Sequence, residues 1–154
     1  MKSVISMTLL FFLLIGCNKK ENSYIPQNLT SVWIGKGDIY GNGDENIPQQ
    51  NIIITNQEDW NNLMNSMNSV NNVSNSFTET NINFEVYQII AVFDEIKNSG
   101  GYSIDITSVV ENEDNIVVFV DKLLNGSVND VITQPFHIIK IQKSNKLIYF
   151  NILD

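Results

Sequence analysis

Residues 84–93, FEVYQIIAVF, form a nearly continuous apolar run in the middle of the chain. A short run of this kind, rich in β-branched and aromatic residues, is typical of a strand that is buried near the middle of a sheet. The pattern predicts a central β-strand, and the rest of the domain is arranged around it.

Further strands follow downstream. Apolar Tyr102, Ile104 and Ile106 alternate with polar residues, which predicts a strand with one face buried. The remaining predicted strands are residues 116–120, across a turn at 111–115, and residues 136–141 and 147–152, which flank a turn at 143–145. These are two successive hairpins, so the sequence predicts antiparallel pairing and shows no alternation of strands and helices.

Upstream of the central run the sequence predicts two strands and the only convincing helix. The strands are residues 31–40, before the turn-rich stretch 41–46, and residues 51–55, which we expect to be buried. Residues 70–83 are rich in Asn, Ser and Thr and predict a long surface loop.

The predicted helix spans residues 57–68. Its apolar stripe has the i, i+3, i+4, i+7 spacing of one helical face, and consists of Trp60, Leu63, Met64 and Met67. Thr55 and Glu58 have the spacing of a capping box. We expect this stripe to pack in the core.

Composition supports the same fold class. The chain has 22 Ile and 13 Val but a single Ala, and β-branched side chains fit a pleated sheet better than a helix. The prediction is a mainly β (α+β) domain at residues 31–154, with an antiparallel, sandwich-like sheet arrangement and one amphipathic helix.

Charge and rare residues exclude several functions. The chain of 154 residues has 17 acidic residues, 9 Lys, no Arg, one His and one Cys, with a formal net charge of −8. One Cys allows neither an internal disulfide nor a cysteine-based zinc site, and one His excludes a His-rich metal site. An acidic chain without a basic block is a poor partner for nucleic acid. We expect no cofactor.

The N-terminal residues predict a lipoprotein. A basic start at Lys2 precedes an apolar run at 7–15, which is too short to cross a membrane and has the length of a signal-peptide core. The following Leu14-Ile15-Gly16-Cys17 resembles a bacterial lipobox. Residues 1–16 are therefore interpreted as a signal peptide, Cys17 as the lipidated residue, and residues 17–30 as the anchor and a polar tether.

The predicted signal peptide and lipidation site indicate where the protein is located. The mature chain would be anchored to the membrane through Cys17, in the bacterial cell envelope, at the outer membrane or the cell surface. Cys17 would then be an attachment point and not a thiol nucleophile. Removal of Lys2 with the signal peptide leaves a mature domain with a formal charge of −9.

Two segments carry a family resemblance. In the first, KNSGGYSI at 97–104, Gly100 and Gly101 lead to Tyr102; in the second, TQPFHIIK at 133–140, Thr133 and Pro135 precede an aromatic residue and a histidine, Phe136 and His137. With the upstream Trp60 helix and the run 84–93, they resemble the C-terminal domain of the PrcB family, bacterial proteins that are secreted or lipid-anchored and named for a subunit of a surface protease complex.

The resemblance spans roughly residues 52–150 and implies a partner. Leu124-Asn125-Gly126 stands where many members carry a Pro-Gly turn, which is a departure in that loop only. The implied partner is an exported or surface protein, such as a protease that the domain would stabilise or help to mature. The family motif residues Gly100, Gly101, Tyr102, Thr133, Pro135, Phe136 and His137 are then the candidate partner-binding residues.

The residues give little support to catalysis. A serine triad would need His137 as its base, but no nucleophile-elbow motif is present, and a histidine between Phe136 and Ile138 is more often packed than reactive. We expect no enzyme. Two alternatives stay open, namely a protease inhibitor that acts by loop insertion, and a small-ligand or calcium module built from Asp38, Asn42, Asp44 and Glu45.

Overall fold

The computed structural model describes residues 23–153. The predicted signal peptide, Cys17 and the first part of the tether lie outside the described residues. Within this range the chain forms eight strands and one α-helix, α1 (Gln57–Met67), besides a short 3₁₀ turn at Val73–Ser76. The strands are β1 (Gln27–Asn28), β2 (Ser31–Ile39), β3 (Gln50–Ile54), β4 (Tyr87–Phe93), β5 (Asp105–Glu111), β6 (Asn115–Asp121), β7 (Gln134–Gln142) and β8 (Leu147–Ile152). The predicted mainly β fold with one helix is confirmed.

The strands form two four-stranded sheets. The outer sheet has the order β1-β5-β6-β8, and the central sheet has the order β2-β7-β4-β3. All pairs are antiparallel except β6 and β8, which run parallel. Within residues 23–153 no helix is long and apolar enough to cross a membrane.

The central sheet is covered on both faces, which explains why its sequence is so continuously apolar. One face packs against the outer sheet, and this inter-sheet core contains Ile90, Val92, Ile139 and Ile141 of the central sheet and Val109, Ile116, Val118 and Val120 of the outer one. The other face packs against α1, and this helix-side core contains Ile89, Ala91, Phe93, Phe136, Ile138, Trp60, Leu63 and Met67. Successive residues of β4 therefore alternate between two cores.

This alternation confirms that the run 84–93 supplies an inner strand, although the strand begins at Tyr87. The prediction that residues 51–55 form a buried strand is wrong. β3 lies at the edge of the central sheet, where Ile54 is buried but Ile53 is 38% exposed. Three consecutive isoleucines cannot distinguish an inner strand from an edge strand whose side chains reach a core on one face and solvent on the other.

The predicted second hairpin is also wrong. Residues 143–146 do not form a hairpin turn that pairs β8 with β7, because β2 and β4 already pair with β7 on its two sides. The chain crosses to the outer sheet, where β8 pairs in parallel with β6, from Asn115 opposite Leu147 to Val120 opposite Ile152. A short polar connection is compatible with a hairpin and with a crossover to the other sheet. The crossover forms because β7 already has a strand neighbour on each side.

Two segment boundaries differ from expectation. Gln27–Asn28, at the end of the predicted tether, pairs with β5, and Leu29 packs on the inter-sheet core. The strand predicted from Tyr102 begins only at Asp105, since Ser103, Ile104 and Asp105 are all buried and break the alternation. In the predicted surface loop 70–83, Ile82 is buried and Phe77 packs against the helix-side core.

The helix is confirmed, but its cap lies one residue later than predicted. Asn56 is the N-cap, and its Oδ1 accepts a hydrogen bond from the Asp59 backbone N–H at 2.9 Å. The Asn56 Nδ2 in turn donates to Asp59 Oδ2 at 2.7 Å. Asn56 therefore caps the helix, and its amide also binds the Asp59 side chain, in place of the capping box that the spacing of Thr55 and Glu58 predicted.

Candidate functional site

The two family motifs lie side by side in the structure. Lys97 and Thr133 form an isolated antiparallel bridge in which each backbone N–H donates to the other residue's carbonyl, at 2.7 and 3.0 Å. The Thr133 Oγ1 donates to the Ser99 carbonyl at 3.1 Å. Thr133 is 1% exposed. Its function is therefore to join the two motifs, and it does not itself present a surface.

Together the motifs hold residues 122–133, which we call the β6–β7 loop. The Gly126 N–H donates to the Gly101 carbonyl at 2.9 Å, and the Ser127 N–H donates to the Gly100 carbonyl at 2.8 Å. The Gly100 N–H donates to the Asn129 carbonyl at 3.3 Å. The paired glycines thus lie beside the middle of the loop and brace it.

Close packing explains why glycines are needed here. Gly101 has φ +79° and Gly126 has φ +99°, a region that L side chains rarely adopt. A Cβ on Gly101 would lie 2.8 Å from the Ser127 Cβ, and one on Gly126 would lie 2.5 Å from the Tyr102 ring. Gly126, in the loop that departs from the family pattern, is therefore the surface on which Tyr102 packs.

A buried carboxylate links the first motif to the start of the β6–β7 loop. The Asp94 side chain is fully buried just after β4, and it lies 3.2 Å from Lys97 Nζ in the first motif and 3.0 Å from Lys122 Nζ at the start of the loop. Burial opposes ionisation of this carboxyl, but the hydrogen bonds from Lys122, Glu95 and Lys97 outweigh it and hold the pKa of Asp94 below its usual range. Asp94 is charged and structural.

Beside the braced loop is an open cleft of about 490 Å³. Its walls come from β2, from the start of β5 and from the β6–β7 loop; the lining residues are Trp33, Lys36, Gly37, Asp38, Tyr102, Ser103, Ile104, Asp105, Leu123, Leu124 and Phe136. Trp33 is 56% exposed, and Leu123 and Leu124 are each 58% exposed. Large apolar side chains at a concave surface are typical of a binding site.

A polar network lies within the cleft. Lys36 Nζ forms an ion pair with Asp105 Oδ1, Ser103 Oγ donates to Asp105 Oδ2, and the Leu124 N–H donates to Ser103 Oγ at 3.1 Å. Burial opposes ionisation of Asp105, but Lys36 and Ser103 more than compensate and lower its pKa. The Ser103 hydroxyl is thus engaged both as donor and as acceptor, and it positions the backbone of Leu124.

His137 joins the two sheets. Its Nδ1 accepts a hydrogen bond from the Ile106 N–H at 2.9 Å, and its ring meets Trp33 edge-on with centroids 6.5 Å apart. Burial, with a further contribution from the nearby Lys36 charge, lowers the pKa of His137 to about 4. Near neutral pH His137 is uncharged and orients Trp33, which is a positioning role.

Phe136 and Pro135 of the second motif are buried. Phe136 is 2% exposed and stacks on Phe93 with centroids 6.3 Å apart. Pro135 is the second residue of the inner strand β7, where its carbonyl accepts a hydrogen bond from the Asp94 N–H at 2.9 Å. Four of the seven candidate binding residues are buried, whereas Gly101 is exposed and Tyr102 and His137 are half-buried. Of the seven, Tyr102 and Phe136 line the cleft.

The turn at 41–46, the candidate site of the calcium alternative, contains a buried Glu45 carboxylate whose two oxygens accept no hydrogen bond. Among the residues described here, no group of three or more His, Cys, Asp or Glu side chains is placed to hold a metal ion. Glu45 is only 3% exposed, and its carboxylate occupies the space beside Gly41 where a Cβ would lie. Its side chain therefore packs inside the turn.

Sequence reasoning missed the residues that form the surface of the site. Trp33 and Leu123 lie outside the predicted motifs, and Leu124 is noted only at the departure from the family's Pro-Gly turn. Two adjacent leucines in a polar loop are nevertheless an available signal of an exposed apolar patch. Asp94 was hidden at the end of the apolar run, and nothing in the sequence connects it to Lys97 and Lys122.

Comparison with known families agrees with the motifs. Residues 88–142 match the family model described as PrcB C-terminal, so the resemblance is confirmed over that segment. The matched segment runs from β4 to the end of β7 and therefore includes the braced loop and both motifs. No curated protein and no solved structure gave a match.

Proposed function

We propose that this chain is a lipid-anchored, non-catalytic domain of the bacterial envelope that binds an exported protein at the cleft beside the β6–β7 loop. The observation that carries the proposal is the exposure of Trp33, Leu123 and Leu124 around a concave surface of about 490 Å³. Exposed aromatic and aliphatic side chains of this kind form the anchors of protein interfaces.

The rigidity of the site supports binding. The loop is braced by Gly100, Gly101 and Thr133 and pinned by Asp94. A surface that is ordered before it meets its partner loses less conformational entropy on association. The family motif, on this proposal, acts by holding Leu123 and Leu124 in place.

The way in which the polar groups are engaged supports a non-catalytic role. His137 has its Nδ1 occupied and a lowered pKa, and Ser103 is engaged on both sides. The PrcB C-terminal family is not a known catalytic family. From the family resemblance we infer that the partner is a protease or another component of an exported protease complex. The domain would stabilise this partner or help it to mature.

The test compares variants in a pulldown from cross-linked envelope extract. Leu123→Asp places a charge in the cleft, whereas Val70→Asp, at a similarly exposed apolar position beyond α1, is the control. We expect a protein that is recovered with the wild type and with Val70→Asp but is lost with Leu123→Asp. Equal recovery from all three proteins would rule out the cleft as the binding surface.

A specific observation also favours the second candidate, a protease inhibitor. Val128 is 98% exposed in the middle of the braced loop, with hydrogen-bonded backbone at Ser127 and Asn129 beside it. An exposed apolar residue on a rigid loop could enter a protease specificity pocket. Val128→Asp would then abolish inhibition of exported proteases while Leu123→Asp would not; if the wild-type domain inhibits none of them, this candidate is excluded.

A further inference from the structure

The free edge of β8 is a second candidate binding surface, and its polar groups belong to the backbone. β8 ends the order of the outer sheet, and within residues 23–153 its only strand neighbour is β6. The other side of β8 therefore presents unpaired backbone N–H and C=O groups. Such a row is complementary to another extended strand.

The edges on the opposite side of the sandwich are protected. β1 has only two residues. The edge of β2 is covered near its bulge, where the Thr78 N–H donates to the Ile34 carbonyl at 2.8 Å and Thr78 Oγ1 donates to the Trp33 carbonyl at 2.6 Å. β2 also carries Lys36 and Asp38. Short length, coverage and charge are the usual means by which proteins prevent edge pairing.

β8 has none of these protections. Its six residues, LIYFNI, include no charged residue and no proline. Leu147 is 67% exposed, Tyr149 53%, Ile152 42% and the following Leu153 41%. A neutral, apolar and unpaired strand is thus left open on a chain with a formal charge of −8.

We propose that β8 pairs antiparallel with β8 of a second copy of this chain, which joins two outer sheets into one eight-stranded sheet. Two acidic molecules repel each other, and paired strands lie only about 4.8 Å apart. An uncharged edge is where two copies approach without facing like charges across the ladder. An edge that is apolar along its length is also complementary to itself, as a two-fold interface requires.

The side chains select the register. Residues opposite one another in an antiparallel pair lie on the same face, so a two-fold axis must pass through a residue of β8. Centred on Phe150, the pairing places Ile148 opposite Ile152 of the copy, and Leu147 opposite Leu153 of the copy. Tyr149 then faces Asn151 of the copy. Centred on Tyr149 instead, aliphatic Leu147 would face Asn151 and Ile152 would face Lys146. In the register centred on Phe150, Asn151 faces a tyrosine, whose hydroxyl can form a hydrogen bond.

This surface is separate from the cleft, because no residue of β8 lines it. A dimer through β8 leaves both clefts accessible, so the pairing and the binding of an exported protein can be tested independently.

The test is sedimentation equilibrium of the full chain over a wide concentration range. We expect a concentration-dependent dimer, and Tyr149→Lys should weaken it about tenfold or more, since the two introduced charges would lie on one face of the joined sheet as diagonal neighbours, each opposite Asn151 of the other copy. The control is Tyr40→Lys, at a tyrosine of similar exposure outside β8, which should leave the dimer unchanged. A wild-type chain that stays monomeric throughout, or a dimer that tolerates Tyr149→Lys in the folded protein, would overturn the proposal.

Two further measurements do not depend on the folding of that variant. Amide hydrogen exchange of the wild type should slow at residues 147–153 as concentration rises, and unchanged exchange there contradicts the pairing. In a Cys17→Ser background, a mixture of Tyr149→Cys and Asn151→Cys chains should form a disulfide-linked heterodimer in preference to either homodimer. Preference for either homodimer would exclude the register centred on Phe150.

Discussion

At the scale of single residues, the paired glycines of the first motif are unequal. Gly101 has a positive φ and no room for a Cβ, whereas a Cβ on Gly100 would meet nothing within 4 Å. We expect Gly101→Ala to lower the free energy of unfolding by about 1–3 kcal/mol, through backbone strain and contact with Ser127. Gly100→Ala should change it by less than about 0.5 kcal/mol. Urea unfolding of both variants measures the difference; equal losses would mean that the two positions do not differ as the backbone indicates.

His137 predicts a pH dependence of stability. Its pKa is near 6.5 in an unfolded chain and about 4 in the folded protein. Between these values the unfolded chain binds more protons, so stability is complete above pH 6.5 and is lost as the pH falls towards 4, by at most about 3 kcal/mol. Asp94 and Asp105, whose pKa values are lowered, add a further loss as the pH falls below about 4.

The variant His137→Asn isolates this contribution. An Asn Oδ1 can accept the Ile106 N–H in place of the imidazole Nδ1, but it does not titrate. Unfolding measured from pH 7 to pH 4 should show a slope in the wild type and a much flatter profile in His137→Asn. The same slope in both proteins would mean that other groups are responsible.

At the scale of elements, the helix cap can be tested directly. Asn56→Ala removes the acceptor for the Asp59 N–H and should cost about 1 kcal/mol of stability. Thr55→Ala should be nearly neutral, because Asn56 and not Thr55 is the N-cap. Thermal unfolding of the two variants distinguishes them. A larger loss of stability from Thr55→Ala than from Asn56→Ala would indicate that Thr55 is the N-cap, as the sequence predicted.

Elements were predicted well where one pattern has one structural meaning. The helical stripe from Trp60 to Met67 allows a single interpretation, and the helix is confirmed. The short β-branched run at 116–120, bounded by polar turns, is likewise confirmed as a strand. The path from β7 to β8 was predicted wrongly because local turn residues do not record which strand edges are already occupied. The braced loop was missed for a similar reason, since hydrogen bonds between residues 100 and 127 leave no local pattern.

At the scale of the whole molecule, the shared central sheet predicts cooperative unfolding. Residues of β4 alternate between the inter-sheet core and the helix-side core, so neither core can open without the other. Val118→Ala and Leu63→Ala, one in each core, should lower the midpoint of the same single calorimetric transition, with losses of about 1–5 kcal/mol. Two separate transitions in either variant would show that the cores unfold independently.

Contact between the cleft beside the β6–β7 loop and an exported protein can be detected by site-specific photocrosslinking in the native envelope. A photoreactive residue is placed at Leu124 in the cleft, at Val128 on the loop, or at Val70 as the exposed control. We expect one discrete cross-linked protein from position 124 and none from position 70. No adduct from position 124, or the same adduct from position 70, would contradict the proposed contact.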